Sequence, residues 1–184
     1  MEESTVSLFD KSGGGRLVTI SPEKITGGLT YITKKHLITM SAAKDLSKEA
    51  PTSPRTRTGG YAILARMTDK GRADLAGTLG EFHFDCPLDN FLFGFKGVKA
   101  EDVKKQLEAG ASDEEIAAWL DANGEPKTEA EKTAWSDGVE AARPYDNPEK
   151  KDWFVGVCAE AGCDPATSTL FDFLEADDKT SFAK

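Results

Sequence analysis

Ser53-Pro54-Arg55-Thr56-Arg57-Thr58-Gly59-Gly60-Tyr61 is the stretch around which the chain is organised, because the residues after it read as a helix running to about Gly77. Pro54 holds Ser53 extended, and Gly59-Gly60 permits positive φ just before the helical pattern starts. On a helix from Tyr61, the side chains of Tyr61, Leu64, Thr68, Gly71 and Leu75 share one face, whereas Arg66, Asp69, Lys70 and Ala73 share the opposite one. The first face reads as core and the second as solvated.

The charge of this stretch runs against that of the whole. Between positions 55 and 72, Arg55, Arg57, Arg66, Lys70 and Arg72 meet Asp69 alone, in a chain whose formal net charge is -9. Guanidinium forks and free helix amides are what a phosphate or carboxylate needs, so Arg55, Arg57, Gly59 and Gly60, with Arg66 or Lys70, form a candidate site for a small anion or for an acidic partner protein. The plainer reading is that these are solvated charges facing Asp and Glu elsewhere.

Hydrophobic residues at 39% and charged residues at 30% describe a globular chain rather than a disordered one. No apolar run approaches the ~20 residues that span a bilayer, and the N-terminus lacks the pattern of a secretory signal. The negative net charge argues against nucleic acid and anionic membranes as partners. Cys86, Cys158 and Cys163 are an odd set without a disulfide framework, which fits a reducing cytoplasm.

Residues 1–39 read as an arm outside the domain of residues 40–184. Arg16-Leu17-Val18-Thr19-Ile20 and Leu29-Thr30-Tyr31-Ile32-Thr33 have the composition of a short β-hairpin, and the alternatives are a disordered arm or a leader preceding Met40. His36 lies in the arm and receives no role.

Downstream, Glu81-Phe82-His83-Phe84-Asp85-Cys86-Pro87 alternates as a short extended segment would. The next turn or short helix carries Leu88, Phe91, Leu92, Phe93 and Phe95, rings that read as the centre of the core. A helix with Val103 and Leu107 inside follows from Ala100. Ser112-Asp113-Glu114-Glu115 is a capping box ahead of Ile116, Trp119 and Leu120. Thr128-Glu129-Ala130-Glu131 opens a helix to Pro144, and Asn147-Pro148 caps another with Trp153, Phe154, Val157 and Cys158. A last helix starts near Ser168, and Glu125-Pro126-Lys127 is the best subdomain joint. The expectation is an all-α, compact bundle of about six helices, the C-terminal ones within residues 128–177.

The segments Asp45-Leu46, Ser53 to Tyr61, Ala65-Arg66-Met67-x-Asp69-Lys70-x-Arg72, Leu75-Ala76-Gly77, Phe82 to Asp89, and Gly110 to Ile116 with Trp119 together resemble a bacterial family known only as domain of unknown function 5069. The likeness is strong over residues 44–122 and loose beyond. It implies no activity and no catalytic residues to carry over.

His83, Asp85 and Cys86 suggest a thiol site, in which His83 activates Cys86 and Asp85 or Asp89 orients the imidazole. On an extended segment, however, Cys86 points away from His83 and Asp85 unless the backbone turns at Cys86-Pro87. His83, Cys86, Cys158 and Cys163 would together offer a Cys3His set for zinc, but neither spacing is that of a zinc site and no metal is assigned. Nucleotide, hydrolase and metalloprotease signatures are absent, so no cofactor and no reaction is assigned. The sequence therefore points to a binding or interaction module with a small-anion site. A thiol enzyme dependent on Cys86 and His83, or a structural zinc protein, is the alternative.

Overall fold

The computed structural model describes residues 43–183 and two short strands in the preceding arm. Strands β1 (Val6–Leu8) and β2 (Val18–Ile20) pair antiparallel with Val6 opposite Ile20. The strand expected at 16–20 thus contributes β2, but its partner is β1; the expected partner at Leu29–Thr33 lies outside the described residues. The chain divides into two units, residues 1–41 and 42–184.

The second unit is all-α. Its helices are α1 (Leu64–Ala76), α2 (Pro87–Lys96), α3 (Ala100–Glu108), α4 (Asp113–Asn123), α5 (Glu129–Glu140), α6 (Pro148–Ala161) and α7 (Leu170–Phe182), with a 3₁₀ turn at Pro144–Asp146. Three begin with a capping box, Ser112 with Glu115, Thr128 with Glu131, and Thr169 with Asp172. Each reciprocal pair satisfies amides that a helix start leaves bare, and losing such a cap costs about 1 kcal/mol. Only Thr169 is unannounced in the sequence, where the helix is expected from Ser168.

Helix α1 is the axis of the bundle, packed against α2, α3 and α4. Gly71 makes the close approach of α3 feasible, since a Cβ there would stand 2.4 Å from Leu107 Cδ1. The face expected to be solvated is not. Arg66, Lys70 and Ala73 are buried, and it is Leu75, expected inside, that is 40% exposed. The reason is ionic: Arg66 donates to both carboxylate oxygens of Asp178 at 2.6 and 2.9 Å, and Lys70 donates to Asp89 at 2.7 Å. Long cations enter a core when an acid on another helix is there to meet them.

Apolar side chains form two clusters. The larger, around Tyr61, Leu64, Met67, Leu92, Ile116, Leu120 and Phe171, is built on α1. The smaller joins Phe154 and Cys158 of α6 to Phe173 of α7. Leu170 and Leu174 pack against both. Phe91 departs from expectation, for it is 43% exposed while its neighbours Leu92 and Phe93 are buried. The expected joint at Glu125-Pro126-Lys127 is held in place, because the Glu125 amide donates to the Lys96 carbonyl at 2.7 Å and Lys96 Nζ donates to the Glu125 carbonyl.

Candidate functional site

The basic loop ahead of α1 is organised by a tight turn. Gly59 and Gly60 have φ of 57° and 86°, and Thr58 and Tyr61 exchange backbone hydrogen bonds at 3.2 and 3.0 Å across them. Two successive left-handed residues are what a two-residue hairpin turn demands, and glycine supplies them without strain. A Cβ on Gly59 would also stand 2.4 Å from that of Ala117 in α4. The chain then passes through Ile63, whose φ of 70° breaks the helical course, so α1 starts at Leu64 and not at Tyr61. The Ile63 amide donates to Pro54 and the Ala62 amide to Ser136 Oγ.

The arginines of this loop are bound to acids from the far end of the chain. Arg55 pairs with Glu140 of α5 at 2.8 Å and with Asp172 and Glu175 of α7, while Arg57 pairs with Glu140 and Asp137. Hydrogen bonding from Arg55 holds the Glu140 carboxyl below its ordinary value. Arg66 is committed to Asp178, Lys70 to Asp89, and Arg72 to Asp113 at 2.7 Å. A cavity of about 340 Å³ does adjoin Gly59, but Glu114, Asp121 and Glu129 line it, and its cation, Lys132, already donates to Asp121 at 3.2 Å and to Glu129 at 2.5 Å. The arginines tie the loop to α5 and α7: Arg55 and Arg57 meet on Glu140, whereas Arg66 and Lys70 engage Asp178 and Asp89 elsewhere.

The Cys86 region is arranged differently from the expected triad. Glu81, Phe84 and Asp85 lie in turns and residues 81–86 hold no strand, so the segment is not extended as expected, and Asp85 has φ of 62°. His83 is exposed, with no hydrogen bond or ion pair to the described residues, and Asp85 accepts from Asn90 Nδ2 at 3.0 Å. Cys86 is the N-cap of α2, with Pro87 at the first helical position. Its Sγ lies 3.0 Å from Lys70 Nζ, which also donates to Asp89 Oδ1 at 2.7 Å. Lys70 and Asp89 are almost wholly buried, at 3% and 0% side-chain exposure, and Asp89 Oδ2 is buried with no hydrogen-bond partner. Burial pushes the Asp89 carboxyl above its ordinary value against the pull of Lys70 and, more weakly, of the Cys86 amide and thiol. The structure thus brings Cys86, Lys70 and Asp89 together, and leaves His83 and Asp85 apart from the thiol.

Cys86 also stands in the wall of a cleft of about 480 Å³ between the start of α2 and the α6–α7 pair. Leu88, Phe91, Trp153, Leu170, Phe173 and Leu174 supply most of its lining, with Glu149 and Lys150 at the edge. It lies where the two apolar clusters meet through Leu170 and Leu174 without closing. Trp153 is 50% exposed, yet one side of its ring packs on Phe154 at 6.0 Å and edge-on to Phe173 at 6.2 Å. The ring is therefore held in the wall rather than swinging free. Sequence reasoning assigned Phe91 to the core and placed Trp153 only on its helix, since helical spacing does not separate a core ring from one facing a cleft. The signal for Asp89 was local: Cys86-Pro87-Leu88-Asp89 is a helix start that sets Cys86 at the cap and Asp89 in the first turn.

Among the described residues no three His, Cys, Asp or Glu side chains gather to hold a metal ion. His83, Cys86, Cys158 and Cys163 are not assembled into one set. The two later cysteines meet each other, the Cys163 amide donating to the Cys158 carbonyl at 2.9 Å, and burial pushes the Cys158 thiol up to about 12. No described helix is long and apolar enough to cross a membrane.

Fold and cleft define an all-α helical bundle with an apolar cleft of the size that takes a small molecule. The chain belongs to the family described as a domain of unknown function, DUF5069, whose model matches residues 48–180. No curated protein matches it.

Proposed function

We propose that this protein is a binding module whose ligand is a small molecule with an apolar body, seated between Phe91 and Trp153 in the cleft beside Cys86. The observation that carries the reading is the cleft itself. Its volume of about 480 Å³ falls in the ~300–1,000 Å³ range of small-molecule pockets, and its lining is apolar with few polar groups. Two large rings, Phe91 and Trp153, are left 43% and 50% exposed at it. Burying such rings against a ligand is favourable at about 25 cal/mol per Å² of apolar surface.

The small-anion reading at Arg55, Arg57, Gly59 and Gly60 has less support, because carboxylates of α5 and α7 already engage both guanidinium groups. The thiol reading keeps Cys86 but exchanges His83 for Lys70 as the neighbour that matters.

The test is a tryptophan-fluorescence titration with decanol and with decanoate. A saturable change is expected in the wild type, and it vanishes from the spectrum in Trp153→Phe. Phe91→Asp weakens binding by at least about tenfold, equivalent to ~1.4 kcal/mol. Absence of saturation with either ligand, or undiminished affinity in Phe91→Asp, counts against the cleft.

A further inference from the structure

We infer that Cys86 is an acyl acceptor, taking an acyl group from a thioester whose chain occupies the cleft. This deepens the cleft reading and rests on it. Three features meet at one point: a half-buried cysteine in the cleft wall, an ammonium 3.0 Å from its sulfur, and a buried carboxylate with one oxygen unpartnered among the described residues. Each answers a need of thioester exchange.

The nucleophile must be a thiolate, and the Lys70 ammonium, screened from water by burial, stabilises negative charge developing on Sγ. The proton leaving Cys86 needs an acceptor close by. Asp89 lies three residues on in the first turn of α2, and its buried Oδ2 has no hydrogen-bond partner among the described residues. Because burial favours the neutral form of Asp89, the carboxylate gains by taking that proton, and the trio keeps its net charge. A carboxylate, an ammonium and a thiol become a carboxylic acid, an ammonium and a thiolate.

The exchange balances without oxidant or reductant. Cys86 Sγ attacks the thioester carbonyl carbon and a new carbon–sulfur bond forms. The bond from that carbon to the carrier sulfur breaks, the carrier leaves as a thiolate, and the proton held on Asp89 returns to it as a thiol. The apolar cleft selects the acyl chain, which distinguishes this substrate class from small polar electrophiles. Cys163 and Cys158 serve as internal controls, since neither lines the cleft.

The experiment incubates the full chain with the octanoyl and, separately, the acetyl thioester of N-acetylcysteamine, and follows acylation of each cysteine by peptide mass spectrometry. Cys86 is expected to react at least about tenfold faster than Cys163, and at least about tenfold faster with octanoyl than with acetyl thioester. The double change Lys70→Met with Asp89→Leu, shown by circular dichroism to be folded, slows acylation of Cys86 by about tenfold or more. Cys86→Ser removes the label from that peptide. Equal labelling of Cys86 and Cys163, indifference to chain length, or an unchanged rate in the double variant overturns the inference. If acylation fails while saturable decanol binding persists, only the acyl transfer is lost; if decanol fails to bind, the cleft reading falls as well.

Discussion

The loop at Arg55 and the buried trio at Lys70 both carry cations in the basic stretch, and they end up in opposite situations. Arg55 meets three carboxylates, Glu140, Asp172 and Glu175, at a partly exposed surface where its 30% exposure leaves water access. Lys70 meets one carboxylate and one thiol in a dry position, and the carboxylate keeps an oxygen unpartnered. A positive island in a sequence is therefore no guide to free positive charge, because the acids that meet Arg55 come from 85 to 120 residues away. An incompletely satisfied group in the interior, beside a cavity, is the better pointer to chemistry.

The largest effect expected in this comparison comes from Asp178→Ala. It strands the buried Arg66 guanidinium, and urea unfolding should show a loss of about 3–5 kcal/mol. The apolar double change Lys70→Met with Asp89→Leu should by contrast leave stability within about 1 kcal/mol of the wild type, since it removes both charges together. A large loss there would make the trio a structural necessity. Next in size is Gly59→Ala, where the positive φ and the 2.4 Å approach to Ala117 make a cost of about 1–3 kcal/mol.

Arg55→Ala should cost less, about 1 kcal/mol, as its pairs are partly solvated. Its effect is also pH-dependent. Glu140 is depressed below its ordinary 4.5 chiefly by Arg55, so the stabilisation is complete above that value and is lost as pH falls through the lowered one. The variant should show a shallower acid-induced loss in the same window. Smallest of all is the response to inorganic phosphate. The melting temperature should not move, and a shift that disappears in the Arg55→Ala, Arg57→Ala double variant would restore an anion site at that loop.

Much of the architecture was legible because local rules dominate it. Ser112 and Thr128 head their helices with capping boxes as their spacing requires, and Val103, Leu107, Ile116 and Leu120 face inward. Where reading failed, the cause was tertiary. Periodicity put Arg66 and Lys70 outside because charge is normally solvated, and only Asp178, 112 residues on, and Asp89 bring them in. Phe91 was likewise read as core, although it and Trp153 line the cleft beside Leu170 and Leu174, which pack against both apolar clusters. Of the candidate site, Cys86 was visible as a residue type. Its partner Lys70 was not, since 16 residues of turns and helix separate them.

The cleft is tested most directly by a crystal structure of the full chain grown with decanol. The account predicts ordered ligand density between Phe91 and Trp153, with the alkyl chain against Leu174 and one end near Cys86 Sγ. Density at another surface, or a cleft filled by its own side chains at saturating ligand, would contradict it.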